Sequence, residues 1–352
     1  MPRRKRLDPS IFHLPVDRMR EGYYSDKYFV RAREVLQADR HRPTVTMQVF
    51  AKTEAYLGGI DEAIAMLKLC ADRWEDLVVH ALYDGDEIAP WETVLTIEGP
   101  YDAFANLETL YLGVLARRTK VGTNTRRVVD AARPKQVMFF PARHDHWLVQ
   151  TGDGYAAHIA GAIGVSTDAQ ASWWGSRGIG TVPHALIAAY GGDTVLASKK
   201  FAEHSDPETA LITLVDFEND CVGTSLQVAR ALGDRLYGVR LDTSETLVDR
   251  SVIPQMGTFR PTGVNPQLVE NVRRALDKEG FRKVKIVVSG GFTVEKIRQF
   301  EEQGVPVDMY GVGSSLFQGR FDFTADVVRV EGKPCAKVGR TYRPNPRLER
   351  VD

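Results

Sequence analysis

The chain has 352 residues, of which 43% are hydrophobic and 26% charged, an ordinary composition for one large globular domain or two smaller ones. Its 46 basic and 46 acidic residues give a formal net charge of zero. Proteins that bind nucleic acids or anionic membranes usually carry a basic surplus, so we expect neither partner.

The cysteines and the apolar runs indicate the cellular compartment of the protein. The three cysteines are widely separated and form no Cys-x-x-Cys motif, which argues against a disulfide framework and a structural zinc site. No apolar run approaches the roughly 20 residues that span a bilayer. The basic start Arg3-Arg4-Lys5-Arg6 precedes Leu7-Asp8-Pro9 instead of an apolar segment, so we interpret it as a solvated tail and not as a signal peptide. We therefore expect a cytoplasmic protein.

The sequence predicts both helices and strands near the two ends of the chain. Residue patterns predict strands over 44–50 and 92–97, a helix capped by Asp61, and a long helix from Tyr101 to about Arg118. Near the other end, residues 326–330 and 335–339 predict a β-hairpin. We expect this hairpin to pack on the first third of the chain, so that residues 1–120 and 321–352 form one discontinuous α+β domain.

The middle of the chain, residues 121–320, predicts a second domain. Short runs rich in β-branched and aromatic residues alternate here with helical patterns that begin at Asn265 and Thr293. This alternation is typical of a parallel α/β sheet, either open or closed into a barrel. The predicted strands cover residues 137–140, 211–215, 236–241, 284–288 and 307–310.

Polar and glycine-rich segments follow three of these strands, where α/β folds bind their ligands. Arg240 and Asp242 end one strand, and this pair predicts either a ligand site or a structural ion pair. Two glycine turns allow backbone N–H groups to approach an anion, so we expect a phosphate site, with ligand-free tight turns as the alternative. These turns contain Ser289, Gly290, Gly291, Gly311, Gly313, Ser314 and Ser315.

Histidines occur in two further motifs. In Gly180-Thr181-Val182-Pro183-His184 the imidazole lies near a predicted helix start, where it either accepts phosphate or has only a structural role. The segment His144-Asp145-His146 lacks a third metal ligand at a recognised spacing, so we expect no metal held by the chain itself. Arg143 is the better candidate for binding an anion.

Four of these motifs resemble nicotinate phosphoribosyltransferases in order and spacing. They are Gly180-Thr181-Val182-Pro183-His184, Val239-Arg240-Leu241-Asp242, Val288-Ser289-Gly290-Gly291 and Gly311-Val312-Gly313-Ser314-Ser315. In addition, Ser25-Asp26-Lys27-Tyr28 and Phe140-Pro141-Ala142-Arg143 are similar to the family's Thr-Asp-x-Tyr and Phe-x-x-Arg segments. The likeness covers roughly residues 20–345.

The resemblance implies transfer of the phosphoribosyl group of phosphoribosyl pyrophosphate to nicotinate, in the salvage synthesis of NAD. It implies an irregular α/β barrel of parallel strands and an α/β sandwich domain built from both chain ends. It also implies Mg²⁺ bound with the pyrophosphate, ATP as a co-substrate whose hydrolysis is coupled to the reaction, and a homodimer with shared active sites.

The resemblance also implies roles for individual residues. Tyr28 would lie against the pyridine ring, with Asp26 in the same segment, and Thr181 and Arg240 would hold nicotinate. Arg143 would lie near the carboxylate or the pyrophosphate, and Asp242 would engage the ribose. His184 matches the histidine that ATP phosphorylates. The 5′-phosphate would be bound by Ser289, Gly290, Gly291, Gly311, Gly313 and Ser314.

Two departures from the family pattern and several alternatives remain. Pro183 replaces a serine found in many bacterial members, and Thr243-Ser244 replaces Ser-Gly after the strand-end carboxylate.

Quinolinate or nicotinamide are alternative substrates, although quinolinate would require a denser basic pocket. A phosphosugar aldolase or isomerase would use the same glycine turns but needs a Schiff-base lysine or an acid/base pair. A catalytically silent nucleotide-binding regulator is the last alternative.

Overall fold

The computed structural model describes residues 4–352, so Arg3 of the basic start lies outside the described residues. The chain divides into two compact units. Unit one contains the chain up to Thr123 together with Gln318–Asp352, and unit two contains Asn124–Phe317. Among residues 4–352, no helix has both the length and the apolar character needed to cross a bilayer.

The described strands, in chain order, are β1 (Thr44–Ala51), β2 (Ala55–Tyr56), β3 (Val78–Ala81), β4 (Glu87–Ile88), β5 (Thr93–Pro100), β6 (Gln136–Phe139), β7 (Gly164–Val165), β8 (Leu211–Leu214), β9 (Leu236–Leu241), β10 (Lys285–Val288), β11 (Met309–Val312), β12 (Phe323–Val330), β13 (Lys333–Pro334) and β14 (Glu349–Arg350). The α-helices are α1 (Val16–Arg20), α2 (Lys27–Ala38), α3 (Ile60–Cys70), α4 (Glu108–Ala132), α5 (Gln150–Ile159), α6 (Asp168–Ala171), α7 (His184–Ala189), α8 (Thr194–His204), α9 (Cys221–Leu232), α10 (Pro266–Lys278) and α11 (Val294–Glu302). Short 3₁₀ turns connect several of them.

Unit one is built around an antiparallel sheet with the order β13-β12-β1-β5-β3-β14. The central strand β1 is buried along nearly its whole length, and its pairing with β12 runs from Val45↔Val330 to Ala51↔Phe323. The apolar residues of the sheet, α3 and the first turns of α4 form one core. Strands from both chain ends therefore share one sheet.

Unit two contains a curled sheet of six parallel strands in the order β7-β6-β11-β10-β9-β8. Its strands are short and mostly buried, as expected for parallel strands covered on both faces. Met138, Ile212, Val287 and Met309 pack together with Phe140 on one face of this sheet. This curled parallel sheet and the separate antiparallel sheet confirm the predicted fold class.

One extended segment, residues 179–182, hydrogen-bonds to both edge strands of the curled sheet. The N–H of Ile179 donates to the carbonyl of Val165 at the end of β7, at 2.7 Å. The N–H of Val182 donates to the carbonyl of Ile212 in β8, at 2.8 Å, and Val182 forms a parallel bridge with Thr213. The segment thus joins the first and last strands of the sheet and carries Thr181.

The structure corrects three of the predicted elements. The long helix does not begin at Tyr101, because two 3₁₀ turns precede α4, and it continues to Ala132 instead of ending near Arg118. Asp61 does not cap its helix, because Gly59 is the N-cap. The predicted hairpin is shorter, since β13 ends at Pro334 and residues 335–339 form no strand.

The basic start is not a solvated tail in its described part. Arg6 lies 2.9 Å from the Asp61 carboxylate, and the two side chains are only 16% and 5% exposed. Its guanidinium also stacks over Tyr83 and donates to the carbonyls of Ala81 and Leu82. A run of basic residues near a chain end predicts a solvated segment, but Arg6 instead pairs with a carboxylate 55 residues away in the sequence.

Candidate active site

Four neighbouring parallel strands of unit two end at one edge of the sheet. The register pairs Leu241 of β9 with Val288 of β10, and Val288 with Tyr310 of β11. Strand β11 pairs in turn with β6. Because parallel strands share one carboxyl edge, this register brings together the residues that follow the strands, which are Asp242, Ser289, Gly313 and Phe140.

Arg240 lies at the centre of a hydrogen-bond network at this edge. Its Nε donates to Ser289 Oγ at 2.7 Å, and Ser289 Oγ donates to Asp242 Oδ1 at 2.6 Å. Nη1 of Arg240 donates to Thr181 Oγ1 at 3.3 Å, and Nη2 lies 3.5 Å from Asp242 Oδ2. One guanidinium is therefore held in place by side chains from two strand ends and from residues 179–182, which are called the closing segment below.

The surroundings of Arg240 strengthen its interactions with an anion. Its guanidinium lies 4.9 Å from the centre of the Phe140 ring, and its side chain is 19% exposed. Burial lowers the pKa of Arg240, whereas the carboxylates of Asp242 and Asp216 oppose that shift. A cation that is largely withdrawn from water attracts a carboxylate more strongly than a solvated one does.

His184 begins α7, two residues after the closing segment, and faces a carboxylate. Its Nε2 lies 2.9 Å from Asp216 Oδ1, and the side chain of Asp216 is 8% exposed whereas that of His184 is 41% exposed. The hydrogen bond to Asp216 is the largest cause that raises the pKa of His184 above 6.5, against an opposing effect of burial. Asp216 therefore orients the imidazole and favours its protonated form.

The turn Ser289-Gly290-Gly291, called the glycine turn below, connects β10 to α11. Gly290 and Gly291 have φ angles of +85° and +65°, which side chains rarely adopt. A Cβ on Gly290 would lie 3.4 Å from Asp242 Oδ1. Thr293 caps α11 through its side chain, so the turn leads directly into a nine-residue helix. The turn thus has the backbone geometry and the helix start that favour an anion.

The second glycine pair has a different local role. A Cβ on Gly311 would lie 2.5 Å from Phe140 Cε2, and one on Gly313 would lie 3.1 Å from His144 Cε1. Both glycines thus make room for side chains that follow β6. Ser314 begins a short 3₁₀ turn and is exposed. Gly311 is fully covered by its neighbours and serves packing at this edge.

Three further predicted residues make other contacts. Arg143 is exposed in the 3₁₀ turn Ala142–His144, and its charge acts on Arg240. Asp26 precedes α2 in unit one, where its carboxylate accepts from Thr109 Oγ1 at 2.9 Å. Tyr28, the second residue of α2, is 63% exposed. Asp26 and Tyr28 belong to unit one, and the network around Arg240 is built from residues of unit two.

Sequence reasoning assigned no role to four residues of this edge. Asp216 is the most informative, because it follows β8 just as Asp242 follows β9, so the same strand-end rule predicts it. Phe140 directly follows β6, and Lys296 lies in the first turn of α11. Glu245 lies against Gly291, although no local pattern indicates this contact. The sequence thus indicates site residues at strand ends, but it does not indicate contacts made by loops.

No group of three or more His, Cys, Asp or Glu residues within 4–352 is arranged to hold a metal ion. Magnesium bound to a pyrophosphate needs only one or two protein carboxylates, because the phosphates and water supply its other ligands. Asp242, 24% exposed at the sheet edge, fits that requirement. The expected Mg²⁺ and ATP stay predictions.

Two domains of one known family together match most of the chain. Residues 26–119 match the quinolinate phosphoribosyl transferase N-terminal domain, and residues 121–321 match the C-terminal domain of the same family. The fold, the glycine turn and the strand-end Arg240 and Asp242 accord with a phosphoribosyltransferase. The chain belongs to the type II phosphoribosyltransferase family.

Individual relatives carry two different names. A nicotinate phosphoribosyltransferase of Mycobacterium tuberculosis is 28% identical over 92% of this chain and 76% of its own length. A Bacillus subtilis nicotinate phosphoribosyltransferase is 24% identical over 67% of this chain and 45% of its own. Among solved structures, a nicotinate-nucleotide pyrophosphorylase from Pyrococcus furiosus is 33% identical, with a TM-score of 0.81 and coverage of 96% and 85% of the two chains.

Proposed function

We propose that this phosphoribosyltransferase transfers the phosphoribosyl group of phosphoribosyl pyrophosphate to the ring nitrogen of nicotinate, giving nicotinate mononucleotide and pyrophosphate. The observation that carries the proposal is the partly buried Arg240 guanidinium, which Thr181 and Ser289 hold beside Asp242. The 28% identity to a nicotinate phosphoribosyltransferase over 92% of the chain supports the choice of substrate. Such a reaction belongs to the salvage synthesis of NAD.

Arg240 would bind the nicotinate carboxylate, and Thr181 would fix its orientation. The pyridine nitrogen carries the attacking lone pair, so no general base is needed. As the bond from the ribose carbon to pyrophosphate breaks, positive charge develops on the sugar, and the Asp242 carboxylate would stabilise it. Catalysis would then come mainly from position and electrostatics.

The glycine turn would bind the 5′-phosphate, and Arg143 would contribute to binding the pyrophosphate. Mg²⁺ would enter with the pyrophosphate and neutralise part of its charge. Backbone N–H groups at a helix start suit the first phosphate, and an exposed guanidinium suits the second.

We further propose that ATP drives the reaction through a phosphohistidine at His184. The attacking form would be the neutral imidazole, in which Nε2–H donates to Asp216 and Nδ1 carries the free lone pair. A bond from Nδ1 to the γ-phosphorus would form as the bond to the departing ADP breaks, and water would later return the histidine and inorganic phosphate. The resemblance also suggests a homodimer with shared sites, in which Tyr28 and Asp26 would take part.

A specific observation favours a second candidate, quinolinate phosphoribosyl transfer with decarboxylation. The matched family models carry that name, and the 33% identical structure is a nicotinate-nucleotide pyrophosphorylase. Quinolinate has two ring carboxylates, so it would require a second cation beside Arg240. Arg143 is the cation whose charge already acts on Arg240.

One assay separates these candidates. The purified protein is incubated with phosphoribosyl pyrophosphate and Mg²⁺, with nicotinate, nicotinamide or quinolinate in turn, with and without ATP. Mass spectrometry then measures mononucleotide, ADP and released CO₂. We expect nicotinate mononucleotide together with ADP. Product from quinolinate with CO₂ would support the second candidate, and product without ADP would exclude the coupled step. No product from any pyridine would overturn the proposal.

A further inference from the structure

The glycine turn is already in contact with an anion from the chain itself. Glu245 follows Asp242 by three residues, and its carboxylate lies against Gly291. A Cβ on Gly291 would overlap Glu245 Oε1 and would lie 2.9 Å from Cδ. The carboxylate therefore occupies the space that the missing side chain of Gly291 leaves open.

A cation lies beside the same turn. Nζ of Lys296 donates to the carbonyl of Gly290 at 3.3 Å and lies 4.3 Å from the centre of the Phe292 ring. Burial lowers the pKa of Lys296, and the charges of Glu245 and Arg260 act on it in opposite directions. Lys296 is thus a partly desolvated cation that interacts with the Glu245 carboxylate.

The backbone of Glu245 lies close to Gly263. A Cβ on Gly263 would lie 3.3 Å from Glu245 Cα, and the N–H of Gly263 donates to the carbonyl of Leu247 at 2.8 Å. Glu245 itself is exposed. Rotation about its side-chain bonds can therefore remove the carboxylate from Gly291 without a movement of the loop.

We infer that Glu245 is an internal anion that occupies the phosphate position at the glycine turn and must withdraw when the phosphate group of the substrate binds there. Lys296, whose Nζ donates to the Gly290 carbonyl of the turn, would then lie beside the phosphate. This inference rests on the proposed function, which supplies a phosphorylated substrate. Two anions at contact distance repel each other, so the carboxylate weakens the binding of any phosphate at the turn.

The test measures phosphate binding and not turnover. Isothermal titration calorimetry with inorganic phosphate and with ribose 5-phosphate compares the full-length wild-type chain with Glu245→Gln, which keeps the size and removes the charge. We expect both ligands to bind about tenfold more tightly to the variant. Glu270→Gln, on the exposed side of α10, makes the same change in net charge and should leave both dissociation constants unchanged.

Each outcome has a separate meaning. Equal or weaker phosphate binding by Glu245→Gln overturns the inference, even if nicotinate turnover is found. The absence of phosphate binding in every variant overturns both the inference and the phosphate site. Tighter binding without turnover supports the inference while the proposed substrate fails. Where turnover exists, the KM for phosphoribosyl pyrophosphate should also fall in Glu245→Gln.

Discussion

At the scale of single residues, Asp242 is the carboxylate that the proposed reaction uses most directly. Asp242→Asn keeps the side-chain size and an acceptor for Ser289, but it removes the charge opposite the developing cation. We expect kcat/KM with nicotinate to fall about 100-fold, with little change in thermal stability. Steady-state kinetics measures the effect, and Asp234→Asn in the exposed turn before β9 is the control. Unchanged turnover would contradict the role of Asp242.

His184 makes a prediction about pH. Because Asp216 raises its pKa above 6.5, their hydrogen bond stabilises the fold fully below about pH 6.5, and this contribution disappears as pH rises through the raised pKa. Asp216→Asn should lower the pKa of His184 and should reduce stability mainly at the acidic side. An NMR titration of the histidine ring protons measures the shift.

His158 is the internal control for that titration. Burial lowers its pKa, so it should titrate below 6.5 in both proteins. If the pKa of His184 is the same with and without Asp216, the hydrogen bond does not orient the imidazole as proposed.

At the scale of elements, α11 has one glycine shortly before its start and one shortly after its end, and the two can be compared. Gly291, before α11, and Gly304, after it, have φ angles of +65° and +64°. Each alanine variant carries a backbone strain of about 1–2 kcal/mol. Only Gly291→Ala also displaces Glu245, because nothing lies within 4 Å of a Cβ on Gly304.

Because the added Cβ of Gly291→Ala would fill the space at the turn where the phosphate would bind, we expect this variant to lose phosphate binding even though Glu245 is displaced. Gly304→Ala should lose stability alone. Calorimetry with ribose 5-phosphate and urea unfolding measure the two effects on each variant. Equal phosphate affinity in both variants would mean that the turn does not contact the ligand.

At the scale of the whole molecule, contacts between distant parts of the chain complete unit one. Strand β12 completes the sheet beside β1, and Arg6 neutralises the buried Asp61. Arg6→Gln leaves that carboxylate without its guanidinium, so we expect a loss of about 3 kcal/mol in the free energy of unfolding. Arg4→Gln is the matched control, because Arg4 is 55% exposed in its pair with Asp86 and should cost less than about 1 kcal/mol. Similar losses for both variants in urea unfolding would contradict this reading.

The sequence by itself determined the local features of this protein. Hydrophobic runs located five of the six strands of the parallel sheet to within a few residues, because burial on both faces requires apolar side chains throughout. They missed β7, whose two residues form no apolar run. Asn265 and Thr293 predicted the starts of α10 and α11, since their side chains cap helices by a local hydrogen bond. Polar residues after β9 and β10 indicated the site, because parallel strands share a carboxyl edge.

Only the tertiary structure decided which of these residues meet. The pairing of His184 with Asp216 spans 32 residues, and that of Arg6 with Asp61 spans 55. The contact of Glu245 with Gly291 and the closure of the sheet by residues 179–182 likewise join separate segments. Such contacts depend on how the loops return to the sheet. They form only after the strands have paired, so local sequence propensity does not predict them.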